Sequence, residues 1–152
     1  MAKLETASDE IMTDMTAFLA SNAIQTKDME YVASKRFRDR TGKPIPWRLH
    51  VLTNDELDEI TKHCKKKEFL PKTREYKVTI DNAQMELEMI CKSVVYPNLN
   101  DEKLQESYGT IGAAATVKAM LTPGEYTDLG RAVTEAAGYQ MGMNDQVSTA
   151  KN

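Results

Sequence analysis

Three short stretches of this 152-residue chain carry the same helix-start pattern, and they fix where its main helices begin. Thr53, Asp81 and Thr122 are each followed three residues later by Glu56, Gln84 and Glu125. A Thr or Asp at the N-cap accepts a hydrogen bond from the backbone N–H three residues on, while the Glu or Gln reaches back to the N–H of the cap itself. Apolar pairs stand in staple positions around each start: Leu52 with Leu57, Ile80 with Met85, and Leu121 with Tyr126. Pro123, at the first helical position, strengthens the third. Helical stripes follow: Leu57, Ile60 and Cys64; Ala83, Leu87, Ile90, Cys91 and Val94; Tyr126, Leu129, Val133 and Ala137, with Gly138 as a stop. The middle helix is expected to end near Val95, ahead of Pro97. A short helix opening at Asn100 and interrupted by Gly109 and Gly112, and another through Ala114, Val117 and Leu121, complete the C-terminal half.

Upstream the apolar period is mostly two. Met29, Tyr31, Ala33 and Phe37 alternate with Glu30, Ser34, Arg36 and Arg38, and Ile45, Trp47, Leu49 and Val51 alternate with Pro46, Arg48 and His50. Thr41-Gly42-Lys43-Pro44 between them is turn chemistry, so the two runs predict a β-hairpin, with Pro46 at an edge or bulge. Tyr76, Val78 and Ile80 predict a third strand, and the Lys-rich stretch between Cys64 and Pro71 predicts a basic loop. At the N-terminus Ile11, Met15, Phe18 and Leu19 share one helical face, which predicts a helix over about residues 8–22. The expected fold is α+β: a small antiparallel sheet, made of a hairpin plus a third strand, with a helix-rich C-terminal half. Residues 1–143 are expected to form one domain, and the polar residues 144–152 a mobile tail.

Apolar residues make up 41% of the chain and charged residues 28%, which suits a soluble globular domain rather than a disordered one. No apolar run reaches the ~18 residues of a membrane span, and MAKLETASDE has no apolar signal core, so a cytoplasmic protein is expected. Net charge is −3 but unevenly spread. Residues 35–48 hold six basic side chains against Asp39, and residues 62–77 hold seven against Glu68 and Glu75. A contiguous positive surface of this kind can steer an acidic partner. It can equally be the charged edge that guards a strand against aggregation.

Reaction chemistry is not visible. His63 adjoins Cys64, but neighbouring helix positions do not face one another, and Cys64 falls on an apolar stripe. His50, on the polar side of its strand, is expected at the surface. No nucleophile elbow, phosphate loop or H-E-x-x-H pattern occurs. The carboxylates Asp55, Glu56, Asp58 and Glu59 lie in the first turns of a helix, where they offset its dipole. No catalytic residue, metal ligand or cofactor is therefore expected. Direct nucleic-acid binding is not expected either, because the basic segments lack interleaved aromatics.

Ser93-Val94-Val95-Tyr96-Pro97-Asn98-Leu99-Asn100-Asp101 runs on to Leu104 and Ser107-Tyr108-Gly109. Then come Met120-Leu121-Thr122-Pro123-Gly124-Glu125-Tyr126 and Gly138-Tyr139, with Pro46-Trp47 and Leu52-Thr53 upstream. In order and spacing, over about residues 14–140, these motifs resemble the XkdN-like family of phage tail assembly chaperones. The resemblance implies a non-enzymatic protein in the cytoplasm of the bacterial host, absent from the mature particle. It would bind the tape measure protein and help recruit tail tube subunits, and self-association stays open. In that role composition nominates three contact segments: Met12, Met15 and Leu19 in the N-terminal helix; Lys65, Lys66 and Lys67; and Tyr139, Met141 and Met143 near the C-terminus. Tyr96, Pro97, Tyr108 and Gly109 are expected to set helix packing instead. Two alternatives stand beside this reading: a structural tail protein retained in the particle, and a nucleic-acid-binding regulator using the two basic segments.

Overall fold

A computed structural model of the chain describes residues 15–139. Its elements run β1 (Met29–Tyr31), β2 (Trp47–Leu49), α1 (Asn54–His63), β3 (Lys65–Leu70), β4 (Glu75–Ile80), α2 (Asn82–Ser93), β5 (Val94–Tyr96), α3 (Glu102–Tyr108), α4 (Ala113–Met120) and α5 (Pro123–Ala136). The class is α+β, as expected.

The three expected helix starts form as their sequences dictate. Thr53 and Thr122 each make both halves of a capping box, and Asp81 accepts from Gln84 N–H. The short helix α3 is capped by Asp101, one residue later than expected, and stops at Gly109, whose φ of 64° is the left-handed conformation that glycine adopts most cheaply.

β1, β2 and β5 make one antiparallel sheet with β2 in the centre. Its strands pair Met29 with Leu49, Tyr31 with Trp47, and Leu49 with Val94. Trp47 and Leu49 point into the core and Arg48 points out, so the period-two reading of this strand holds. Pro46 falls just before the strand, where its missing N–H disturbs no ladder. The core joins this sheet face to α2, α4 and α5 through Trp47, Leu49, Ile90, Val117, Leu129 and Val133, each at most 2% exposed. Ser93 closes the seam: its hydroxyl donates to His50 carbonyl O at 2.7 Å, and His50 N–H donates to Ser93 carbonyl O at 2.6 Å.

Four expectations are corrected. The sheet's third strand is β5, not the run Tyr76–Ile80; Val94 and Val95 leave the end of α2 because β2 offers them a ladder. The Lys65–Lys67 stretch is no loop but the start of β3, which pairs along its whole length with β4 in a separate two-stranded hairpin. The first strand ends at Tyr31; beyond it, Asp39 organises a turn by accepting from Thr41 N–H at 2.8 Å and Lys43 N–H at 3.0 Å.

The fourth correction concerns the N-terminal helix. Its described part is one 3-10 turn, Met15–Phe18, followed by irregular turns, and Met15 and Phe18 are both 73% exposed. A short helical stripe is marginal unless another element covers it. Here the Asn22 side-chain amide also donates to Thr16 carbonyl O at 2.7 Å, competing with helical bonding. The rest of that expected helix, with Met12, and the segment carrying Met141 and Met143 lie outside the described residues.

Candidate functional site

The hairpin β3–β4 stands outside the core: no residue of either strand is buried. Cys64 alone joins α1 to β3, and Asp81 alone joins β4 to α2. Asp81 ties the base: its N–H donates to Cys64 carbonyl O at 2.8 Å, its carboxylate accepts from Gln84 N–H, and Lys66 Nζ lies 2.8 Å from its Oδ2. The Lys66 ammonium holds the Asp81 carboxyl below its usual range, and the carboxylate raises Lys66 in return. Among the described residues this ion pair is the only polar side-chain contact from the hairpin strands to another element.

Opposed residues of an antiparallel pair project from the same face. The register therefore places Lys65 and Ile80, Lys67 and Val78, and Phe69 and Tyr76 on one side, and Lys66 and Thr79, Glu68 and Lys77, and Leu70 and Glu75 on the other. The first face is apolar and cationic and carries no carboxylate. Phe69, Tyr76, Val78 and Ile80 are 51%, 69%, 55% and 45% exposed, with the two rings 5.4 Å apart at a 57° tilt. Four large apolar side chains on one small sheet face are more than the scattered exposed residue any surface shows, and a contiguous patch of this sort marks an interaction surface.

Two cavities lie elsewhere. A groove of about 550 Å³ runs between α1 and α2, with Ile60, Cys91 and Ala113 among its apolar lining and Asp55, Glu56, Glu59 and Glu88 among its acidic lining. A second, of about 490 Å³, is walled by Phe37, Ile45, Trp47, Tyr96, Pro97, Leu104, Tyr108 and Met120. Tyr96 and Tyr108, expected to set packing, are instead 48% and 37% exposed at its rim.

Those of the nominated contact residues that are described lie in separate segments of the chain. Met15 and Leu19 are exposed in the N-terminal turn, and Tyr139 is 55% exposed beyond α5. The lysines divide: Lys65 and Lys67 share the apolar face, and Lys66 projects from the other and is spent on Asp81. Phe69, Tyr76, Val78 and Ile80 were missing from the nominated set, since period-two alternation reads as a buried face when the partner strand is unknown. The signal that could have found them was the density of lysines on both sides of Pro71.

Neither cysteine is activated as a nucleophile. Burial and the Glu88 carboxylate push the Cys64 thiol up to about 11, and its Sγ donates to Glu88 Oε2 at 3.1 Å. Burial raises Cys91 as well. Both cysteines are thus held as thiols at neutral pH, the form that is not nucleophilic. His50 is less exposed than expected, with Nε2 2.7 Å from Glu56 Oε1.

Residues 15–151 match the profile of the phage XkdN-like tail assembly chaperone proteins. The chain belongs to that family. Two relatives from Bacillus subtilis are each 26% identical over 145 residues, covering 95% of this chain and 97% of theirs: the uncharacterised protein YqbN and the XkdN protein of the phage-like element PBSX. A crystal structure of the protein YqbN superposes with a TM-score of 0.68 at 24% identity, over 84% of this chain and 98% of that one. At that identity the likeness speaks to the fold. This member of the XkdN-like chaperone family has that arrangement of helices and small antiparallel sheets, with no helix among the described residues long and apolar enough to cross a membrane.

Proposed function

We propose that this XkdN-like chaperone binds the tape measure protein of its phage tail without catalysing a reaction, and so promotes assembly of the tail tube. The observation that carries the reading is the exposed face of the β3–β4 hairpin, which places Lys65 and Lys67 beside Phe69, Tyr76, Val78 and Ile80. A long helical client with uncovered apolar stripes needs a partner that buries those stripes and can still be displaced by tube subunits. A small apolar face with cations at one end meets both demands, because its area is modest and its charges contribute more to encounter rate than to affinity. Residues 1–143 act as one domain in this reading. The protein works in the cytoplasm of the bacterial host and leaves before the particle is complete.

The test is co-expression with the tape measure protein of the same phage. Wild type is expected to raise the client's soluble fraction and to co-elute with it, and Phe69→Ser with Val78→Ser to lose both effects while remaining folded. No rescue and no complex would overturn the reading. Recovery of the protein from purified particles in fixed stoichiometry would replace it with a retained structural subunit.

A further inference from the structure

We propose that in the free protein the apolar face of the β3–β4 hairpin of one copy docks in the α1–α2 groove of a second copy, Lys65 and Lys67 meeting the carboxylates of Asp55 and Glu59. This self-docking does not depend on the identity of the client.

Both halves of the contact are present in each chain. The hairpin face offers apolar side chains and two cations with no anion; the groove offers an apolar floor of Ile60, Cys91 and Ala113 under four carboxylates, and the basic side chains that also line it, Lys92 and His63, lie beside Glu56 and Glu88. None of Lys65, Lys67, Asp55 and Glu59 has an ion-pair or hydrogen-bond partner among the described side chains, and all four are exposed. Glu56 and Glu88, by contrast, are already engaged by His50 and Cys64. Asp55 and Glu59 stand four residues apart on α1, an arrangement in which like charges repel unless a cation intervenes.

Dimensions agree. Lys65 and Lys67 are two strand residues apart, about 6.6 Å. Asp55 and Glu59 are four helical residues apart, about 6 Å. The six-residue strand extends about 20 Å, enough to run the full length of the ten-residue α1, about 15 Å. The contact must come from another copy: with Cys64 and Asp81 as its single-residue connections, and Lys66 tied to Asp81, the hairpin has no linker with which to fold back into its own groove. A surface that is both apolar and exposed is in addition an aggregation hazard, and a cationic rim meeting an acidic groove covers it specifically rather than by unselective pairing.

Sedimentation velocity of the purified chain over a concentration series tests the proposal. Wild type is expected to self-associate, and more weakly at high salt. Lys65→Glu with Lys67→Glu places four carboxylates at the contact, and Asp55→Lys with Glu59→Lys places four ammonium groups there. Each double variant alone is expected to weaken association at least about tenfold, the equivalent of ~1.4 kcal/mol. An equimolar mixture of the two is expected to recover wild-type association, since every contact in a mixed pair is then of opposite charge. All four side chains are exposed, and circular dichroism of each variant checks that its helices persist. A wild type that stays monomeric throughout the series, variants that associate as wild type does, or a mixture that fails to recover association would each overturn the proposal.

Discussion

Glu56 Oε1 lies 2.7 Å from His50 Nε2 and also accepts the N–H of Thr53 at 3.1 Å. One carboxylate oxygen thereby closes the capping box of α1 and fastens that helix to the residue following the central strand β2. The His50 contact first, then the Thr53 bonds, lower the Glu56 carboxyl against the opposing effect of burial. Glu56→Ala removes both links at once and is expected to cost about 1–3 kcal/mol of unfolding free energy, measured by urea denaturation. Glu56→Gln keeps the shape and the cap but loses the charge, and should fall between the two.

Glu125 makes the stronger pH prediction. Its carboxyl is held down at about 2 from 4.5, by hydrogen bonds from Ser34 and from Thr122 and then by Arg36, whose guanidinium lies 3.0 Å away. A depressed carboxyl binds fewer protons folded than unfolded. Its contribution is therefore complete above the unfolded value and is lost as pH falls through the interval down to about 2. Thermal melts between pH 7 and pH 2 should show stability falling in that interval. Glu125→Gln should flatten the fall and lower stability at pH 7. A variant whose profile follows wild type would remove Glu125 from the account.

How much of this was legible depends on whether the cause was local. The starts of α1, α2 and α5 could be read from Thr53, Asp81 and Thr122 because a cap and its partner lie three residues apart. Val94 and Val95 could not be assigned, because they continue the apolar stripe of α2 and become strand only where β2 lies alongside. Lys65 to Lys67 read as a loop since lysine is depleted in strands, and only the pairing with Val78–Ile80 extends them. The same limit applied to the candidate site. Alternation located one face of Tyr76, Val78 and Ile80 without revealing that no described element covers it. Likewise Tyr96 and Tyr108 were recognisable as a motif while the cleft they edge was not.

The cysteines offer a chemical check. With Cys64 buried against Glu88 and its thiol near 11, alkylation of the native protein at pH 8 should be far slower at Cys64 than at an unstructured thiol, and should accelerate on denaturation. Mass spectrometry of a timed iodoacetamide reaction resolves the two cysteines. Rapid native labelling of Cys64 would mean that the α1–α2 junction opens readily, and the rigid base assigned to the hairpin would have to be abandoned.

Stability and recognition should separate cleanly between Trp47 and Phe69. Trp47 is 2% exposed at the sheet centre and packs 6.2 Å from the Phe37 ring, so Trp47→Ala leaves a cavity expected to cost about 3–5 kcal/mol. Phe69 is 51% exposed and contacts the Tyr76 ring, so Phe69→Ser should change unfolding free energy by no more than about 1 kcal/mol. Binding should rank them in reverse: at a temperature where both variants remain folded, Phe69→Ser should lose affinity for the tail partner and Trp47→Ala should keep it. Denaturation curves paired with co-elution assays measure both quantities on the same samples. A Phe69→Ser protein that binds normally would show that the exposed face is not the contact surface, whatever the family does elsewhere.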